Sequence, residues 1–327
     1  MKNLMRAAAA GLWTAFSMAC TAALPAHAET YPSRPIRFVV PFPAAGASDV
    51  LSRALAEKLT ASLGQSVVIE NRPGAGSTIG ADFAAKAPPD GYTLLIITGS
   101  LPIAANLYRK LGFDLLKSFT PISLVANVPH VLVVNPSVPA KSVKELIALA
   151  KSRPGQLSAA SQGNGTLSHL ELELLKTTAG IDMAHIPYKG SSNAMTDLLA
   201  GNVSVFFDSV ASSMPFVKKG QLRALAVVSP TRLPMSPDIP TFAEAGLPGF
   251  EARNWFAVVA PAGTPPDIVN LLNAHIAKAV AAPDMVQRMA AQGAIMEASS
   301  PEQVTALIKS DLAKWGKVIR DANLHMD

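Results

Sequence analysis

The segment Ile36–Gly64, IRFVVPFPAAGASDVLSRALAEKLTASLG, changes its hydrophobic period once, and that change narrows the folds open to this 327-residue chain. Ile36, Phe38, Val39 and Val40 form a short apolar run between Pro35 and Pro41. Such a run suits a strand covered on both faces, as in a parallel sheet. From Ser48 onward Leu51, Leu55, Leu59 and Leu63 recur on one helical face. Ser48 is expected to cap this helix, Asp49 suits its positive first turn, and Gly64 stands where a left-handed C-cap belongs. The joining loop holds Phe42, Ala45, Gly46 and Ala47 and contains no Lys or Arg. An anion bound there would meet backbone amides and the Ser48 hydroxyl rather than a salt bridge. An ordinary strand–helix turn has the same composition, so the loop alone does not decide.

Further along, apolar strand-like runs alternate with helical patterns. Strands are expected at 66–70, 92–98, 183–186, 203–207, 222–228 and 255–259, and two apolar runs broken by Pro129 span 124–134. Helices are expected at 79–87, 142–151, 165–178, 266–281 and 301–322, with two more starting near Ser192 and Ser212. Alternation of this kind predicts an α/β protein with parallel sheets.

At the amino end, Lys2 and Arg6 precede an apolar run, and Ala26-His27-Ala28 is a small-x-small cleavage signal. Residues 1–28 therefore read as a secretory signal peptide, too short to span a bilayer, with Glu29 as the mature start and a periplasmic destination. Cys20 is the single cysteine. The residues before it lack the Leu-type position of a lipidation site, so cleavage after Ala28 removes the only thiol and excludes disulfides. The full chain carries a formal net charge of +5, which falls when Lys2 and Arg6 leave. It shows no Lys/Arg cluster of the kind nucleic-acid binding needs. With 49% apolar and 16% charged residues, a packed globule is expected rather than disorder.

Three later segments are candidates for chemistry. Gly74-Ala75-Gly76 follows a strand but is separated from it by Asn71-Arg72-Pro73, and Ile79 stands where a dinucleotide fingerprint needs Gly. No nucleotide and no other cofactor is therefore expected. Ser161, Gly163, Asn164, Gly165 and Thr166 form a polar, Gly-rich loop that opens a helix, with His169 on its first turn. It offers a second anion-ready helix start, and a side chain at Gly165 would be expected to weaken binding more than folding. Tyr188, after a strand, could offer its hydroxyl, and Asp208 stands at a strand's carboxyl end, where α/β ligands gather. A capped turn, a packed Tyr and a helix-capping Asp are the structural alternatives.

VPFPAAGASD, ENRPGAGSTIG, PDGYTLL, GNGTLSHL, PYKG and WFAVVAPAGTP occur in this order from Tyr31 onward. In order and spacing they resemble the Bug-type solute-binding proteins, the extracytoplasmic receptors of tripartite tricarboxylate transporters. One departure is Gly99–Asn106, where Leu101 and Ile103 replace a more polar loop and hint at a partly apolar ligand. The resemblance implies a two-domain periplasmic-binding-protein fold (type II, Venus-flytrap) with two crossover strands. Residues 31–127 plus 253–327 would form domain one and residues 128–252 domain two. It also implies a monomeric receptor that closes on a small organic carboxylate and delivers it to the transporter's membrane components.

Enzyme arrangements find little support. There is no G-x-S-x-G elbow, and His130, His169, His185, His275 and His325 have no metal-site spacing. The rival readings are a periplasmic hydrolase or isomerase using His169 or Asp208, and a receptor that serves a sensor instead of a transporter.

Overall fold

The computed structural model describes residues 31–44, 46–250 and 252–324. The expected signal peptide with Cys20, the ligand-loop residue Ala45 and His325 lie outside the described residues. From Arg34 the chain builds one unit. Strand β1 (Ile36–Val40) and helix α1 (Ala47–Leu63) form where the period changes. Leu51, Leu55 and Leu59 are buried, and Gly64 ends α1 in the left-handed conformation with its N–H donating to Thr60 O. The helix begins earlier than expected. Gly46 is its N-cap, no side chain caps it, and Ser48 lies within the first turn.

Two sheets follow. The first has the order β11-β4-β10-β3-β1-β2, from β2 (Val67–Asn71), β3 (Thr93–Thr98), β4 (Phe119–Asn127), β10 (Trp255–Pro261) and β11 (Ile295–Met296) around β1. The second has the order β7-β6-β8-β5-β9, from β5 (His130–Val134), β6 (Ser158–Ser161), β7 (Ala184–Pro187), β8 (Val205–Ser209) and β9 (Arg223–Val228). The chain passes from the first sheet to the second through Val128-Pro129 and returns through Arg253-Asn254 into β10. These two passages touch, because Val128 N donates to Asn254 O at 2.9 Å.

The sheets are mixed, which corrects the expectation of parallel ones. β10 runs antiparallel to β3 and β4, and β5 antiparallel to β8 and β9. A helical crossover returns a strand in parallel. β4 passes straight into β5 with no helix between, so nothing imposes that direction.

Helix α2 (Thr78–Ala85) follows β2, and α3 (Ser100–Leu107) replaces a stretch read as loop. Pro102 lies in its first turn, where a missing N–H costs nothing. The second sheet is flanked by α4 (Val143–Ser152), α5 (Leu167–Ala179), α6 (Ser191–Ala200) and α7 (Val210–Lys218). The chain closes with α8 (Pro266–Val280), α9 (Pro283–Ala290) and α10 (Pro301–Asp321). None of the described helices is long and apolar enough to cross a membrane.

Strand β5 shows how the second core is built. Leu132 and Val134 pack into one cluster, and Val131 and Val133 into another on the opposite face, as a period of two requires. Helix α10 joins two clusters. Val304 and Ile308 pack with Val39, Leu95 and Trp255, whereas Trp315, Val318 and Ile319 pack with Leu132 and Phe207.

Candidate functional site

The carboxyl ends of β1, β3, β6 and β8 open onto one cleft of about 900 Å³ between the two sheets, the position where open α/β sheets hold ligands. Four helix N-termini point into it. Gly46, Ala47 and Ser48 come from α1, Ser100 from α3, Gly190, Ser191 and Ser192 from α6, and Ser209 and Ser212 from α7. Neither Gly46 nor Gly190 gives its helix a side-chain cap, so the first N–H groups of α1 and α6 are left for a ligand's oxygens. Ser209, in contrast, caps α7 by accepting from Ser212 N at 3.2 Å. Among the described residues no Lys or Arg lines the cleft. Phe42, Leu51, Met195, Phe216, Phe256 and Met289 supply apolar wall.

Two titratable side chains belong to the wall, Asp208 and His130. Asp208 is fully buried and accepts from Gln162 Nε2 at 2.9 Å, Ser191 Oγ at 2.8 Å and Ser213 Oγ at 3.2 Å. Burial pushes its carboxyl up; the bonds from Ser191 and Gln162 and the nearby His130 pull back without cancelling it. Its role in the structure is to tie the loop after β6 to the starts of α6 and α7. His130 begins β5 directly after the passage between sheets. Its Nδ1 lies 2.6 Å from Glu171 Oε2, and its Nε2 lies 3.3 Å from Asn254 Nδ2.

The expected site residues fall into two groups. Phe42, Gly46, Ala47, Ser48 and Asp208 line the cleft. Asp49 stands behind the first loop, buried. Its Oδ2 accepts from Arg53 Nε and its Oδ1 from Asn71 Nδ2, both at 2.9 Å, while Asn71 Nδ2 also donates to Phe42 O at 3.1 Å. Asp49 therefore binds the loop to the end of β2 instead of facing the cleft.

The second loop is built differently from the first, and Ser161, Gly163, Asn164, Gly165, Thr166 and His169 are not in the cleft wall. Ser161 is buried against His185, Oγ to Nε2 at 2.7 Å. Thr166 Oγ1 donates to Gly163 O at 2.7 Å and leaves α5 without a side-chain cap. Gly165 N donates to His169 Nδ1 at 3.2 Å, and the His169 ring stacks on His185 at 4.0 Å. Burial, with the neighbouring His185 and Lys176, pushes His169 down to about 3, and burial pushes His185 down to about 4. Both are neutral rings that brace the loop. Tyr188 also lies off the wall, its hydroxyl donating to Asp197 at 2.6 Å. Burial and that carboxylate raise it to about 12.

The cleft wall also holds Gln162, Ser191, Ser192, Ser209, Ser212, Thr98, Ser100 and His130, none of which was among the expected site residues. The signal for α6 was present in Gly190-Ser191-Ser192, a Gly followed by small polar residues at a helix start. His130 carries no local motif at all.

A second cavity, of about 840 Å³, lies by the amino ends of β1 and β3. Its charges are already matched, Arg34 with Asp90 at 2.8 Å, Arg37 with Glu70 at 3.1 Å and Lys86 with Asp82 at 2.6 Å. No set of helix N-termini converges on it. Among the described residues no group of His, Cys, Asp and Glu is placed to hold a metal ion.

Residues 51–324 match the model of the tripartite tricarboxylate transporter family receptor. Protein BugT of Bordetella pertussis is 43% identical over 301 residues, which cover 91% of this chain and 92% of that protein. Among solved structures, R. palustris Rpa4515 with adipate is similar with a TM-score of 0.81 and 38% identity, over 90% of this chain and 99% of that one. MatC from Rhodopseudomonas palustris with bound malate gives 0.78 and 32%, over 88% and 100%. The periplasmic binding protein BugD gives 0.79 and 36%, over 91% and 100%.

Proposed function

The chain belongs to the tripartite tricarboxylate transporter receptor family, and from that premise we propose that it captures a small organic carboxylate in the cleft and hands it, unchanged, to the membrane components of such a transporter. It does so in the periplasm, as a monomer, after loss of residues 1–28. The fold is that of the two-domain periplasmic binding proteins. Residues 31–127 with 253–327 form one domain in this reading, and residues 128–252 the other. Ligand binding closes them about Val128-Pro129 and Arg253-Asn254.

The observation that carries the proposal is the convergence of four helix N-termini on a cleft wall without Lys or Arg. Each terminus contributes ~0.3–1 kcal/mol toward an anion when exposed and up to ~2 kcal/mol when partly buried. Hydrogen bonds to a charged acceptor add ~1.5–3 kcal/mol each, though not additively. Together these reach the ~8 kcal/mol of a micromolar receptor. The adipate and malate carried by the two R. palustris neighbours support carboxylates as the ligand class. Gly46, Ala47 and Ser48 from one side and Gln162, Ser191 and Ser192 from the other are the groups assigned to the anion.

A thermal-shift screen of mono-, di- and tricarboxylates, aromatic acids and amino acids tests the proposal. A ligand at ~100 times its Kd adds about 2.7 kcal/mol of stability. Mass spectrometry after incubation then checks that the acid is unaltered. Conversion of the acid, or no carboxylate-dependent stabilisation, refutes the receptor assignment.

A further inference from the structure

We propose that this receptor takes up a proton together with its carboxylate, and that the pair His130–Glu171 is where the proton is held. The inference rests on the receptor reading and adds to it a group that reads charge.

His130 is the one imidazole in the described cleft wall. It is anchored from behind by Glu171 of α5, Nδ1 to Oε2 at 2.6 Å, and both side chains are nearly inaccessible, 3% and 1% exposed. The other carboxylate oxygen, Glu171 Oε1, is buried with no hydrogen-bond partner among the described residues. Asp208, on β8 beside β5, is the second buried acid facing this region. Lys314 of α10, whose charge also reaches Glu171, is itself paired with Asp311 at 3.0 Å. Asn254, which faces the ring, and the strand partners Ser209 on β8 and Val228 on β9 are uncharged.

A carboxylate entering this cleft adds a negative charge beside two buried carboxyl groups, with no Lys or Arg in the described wall to offset it. Like charges brought together in a low-dielectric site raise the proton affinity of the groups around them. His130 can accept that proton without moving. Its Nε2 now faces Asn254 Nδ2, the arrangement of a neutral ring with its proton on Nδ1 toward Glu171 and Nε2 accepting. On protonation Nε2 becomes a donor. The Asn254 amide then turns its oxygen toward the ring, or a ligand oxygen takes that place. Desolvation alone would lower the proton affinity of His130, but the charge and hydrogen bond of Glu171 and the charge of Asp208 reverse the sign and raise it. Burial likewise raises the carboxyl of Glu171, so the pair holds protons more tightly than the two groups would apart in water.

Linkage makes the effect reciprocal: if protonation tightens binding, binding draws in a proton. Above the free receptor's His130 pKa the Kd weakens with rising pH, at a limiting slope of tenfold per pH unit.

The test is titration calorimetry of the mature receptor with adipate, malate and benzoate from about pH 6 to pH 8.5, each run in phosphate and in Tris. Buffers of different ionisation enthalpy yield different observed heats if protons are taken up. The expected result is net uptake approaching one proton per carboxylate at the alkaline end and a Kd that weakens with pH. His130→Gln should abolish both effects. Glu171→Gln keeps an acceptor for Nδ1 but removes the charge, and should shift the pH profile to lower pH. Equal heats in the two buffers with a flat Kd in the wild type overturn the proton-linked proposal and leave the receptor reading standing. The same pH dependence surviving in a folded His130→Gln variant overturns the assignment to this pair. If neither these acids nor any other of the thermal-shift screen binds at any pH, the receptor reading falls and takes the proposal with it.

Discussion

Gly293 and Ala211 pack together beside the cleft, whose wall includes Ala211 and the residues on either side of Gly293. A Cβ added to Gly293 would lie 3.1 Å from Ala211 N and 3.3 Å from its Cβ. Gly293 belongs to the turn between α9 and β11, and Ala211 to the first turn of α7, so the contact joins elements that serve different sheets. Gly293 also has φ of +69°, a conformation that favours glycine. Gly293→Val should hold the two sides apart and weaken adipate binding by roughly tenfold or more, ~1.4 kcal/mol of disfavoured closure. Calorimetry measures the Kd, and urea unfolding of the free variant shows how much of the loss belongs to the strained turn.

The first loop should answer to Asp49 through structure rather than charge. Asp49→Asn keeps one carbonyl acceptor but loses the charge-assisted bond from Arg53. The expected cost is about 1–2 kcal/mol of stability, read by thermal unfolding. Binding of a plain carboxylate should survive in this variant. Its affinity should also change little between low and high ionic strength, because no Lys or Arg of the described wall clamps the anion.

Gly165→Val, expected from sequence to act on binding, should act on folding. Gly165 is buried at φ of +73° and its N–H is held by His169. A β-branched residue there should cost about 1–3 kcal/mol. In a variant that still folds, the adipate Kd should move far less than it does in Gly293→Val.

The stacked His169–His185 pair gives stability a pH signature. Both rings stay neutral in the folded protein down to about 3 and about 4, whereas in the unfolded chain they protonate near the ordinary imidazole value. The unfolded state therefore binds more protons in that window, and stability falls as pH drops from about 6.5 toward 4. His130 acts with the opposite sign. Its folded value is raised, so its contribution is complete below the unfolded imidazole value and is lost as pH rises through the folded one. Urea titrations across the acid range should show the slope for the wild type and a shallower one for His185→Asn.

What could be read in advance follows from which forces leave local marks. The switch from a β-branched run to a spaced-leucine face located β1 and α1 because burial imposes both periods. The helix expected at 142–151 was legible at its start because a Ser there can cap it, and the Ser142 hydroxyl does take the Glu145 N–H. β6, by contrast, is Ser-Ala-Ala-Ser, short and without a β-branched residue; its strand state is imposed by β7 and β8 on either side. The direction of β5 and β10 depends on a passage between sheets that leaves no periodic trace. At the site, α1 announced itself, but the start of α5 looked equally suitable and turned inward. Its loop satisfies its polar groups internally through His169, His185 and Thr166. That choice is settled by contacts between residues far apart in the chain, as is the meeting of His130 with Glu171.

Helix α10 bears on how such a molecule moves. Its first half is embedded in one hydrophobic cluster and its second half in the other, and Gly316 lets it press so close to α3 that a Cβ there would lie 2.7 Å from Asn106 Oδ1. The helix acts as the spine of a book. In the proposed closure a helix held by both clusters keeps the two sides together along its own length, so opening is expected at contacts away from it, such as Gly293 with Ala211. On the proposed receptor reading, a docking partner that reports loading would then touch the surface away from α10, where the two sides change their spacing.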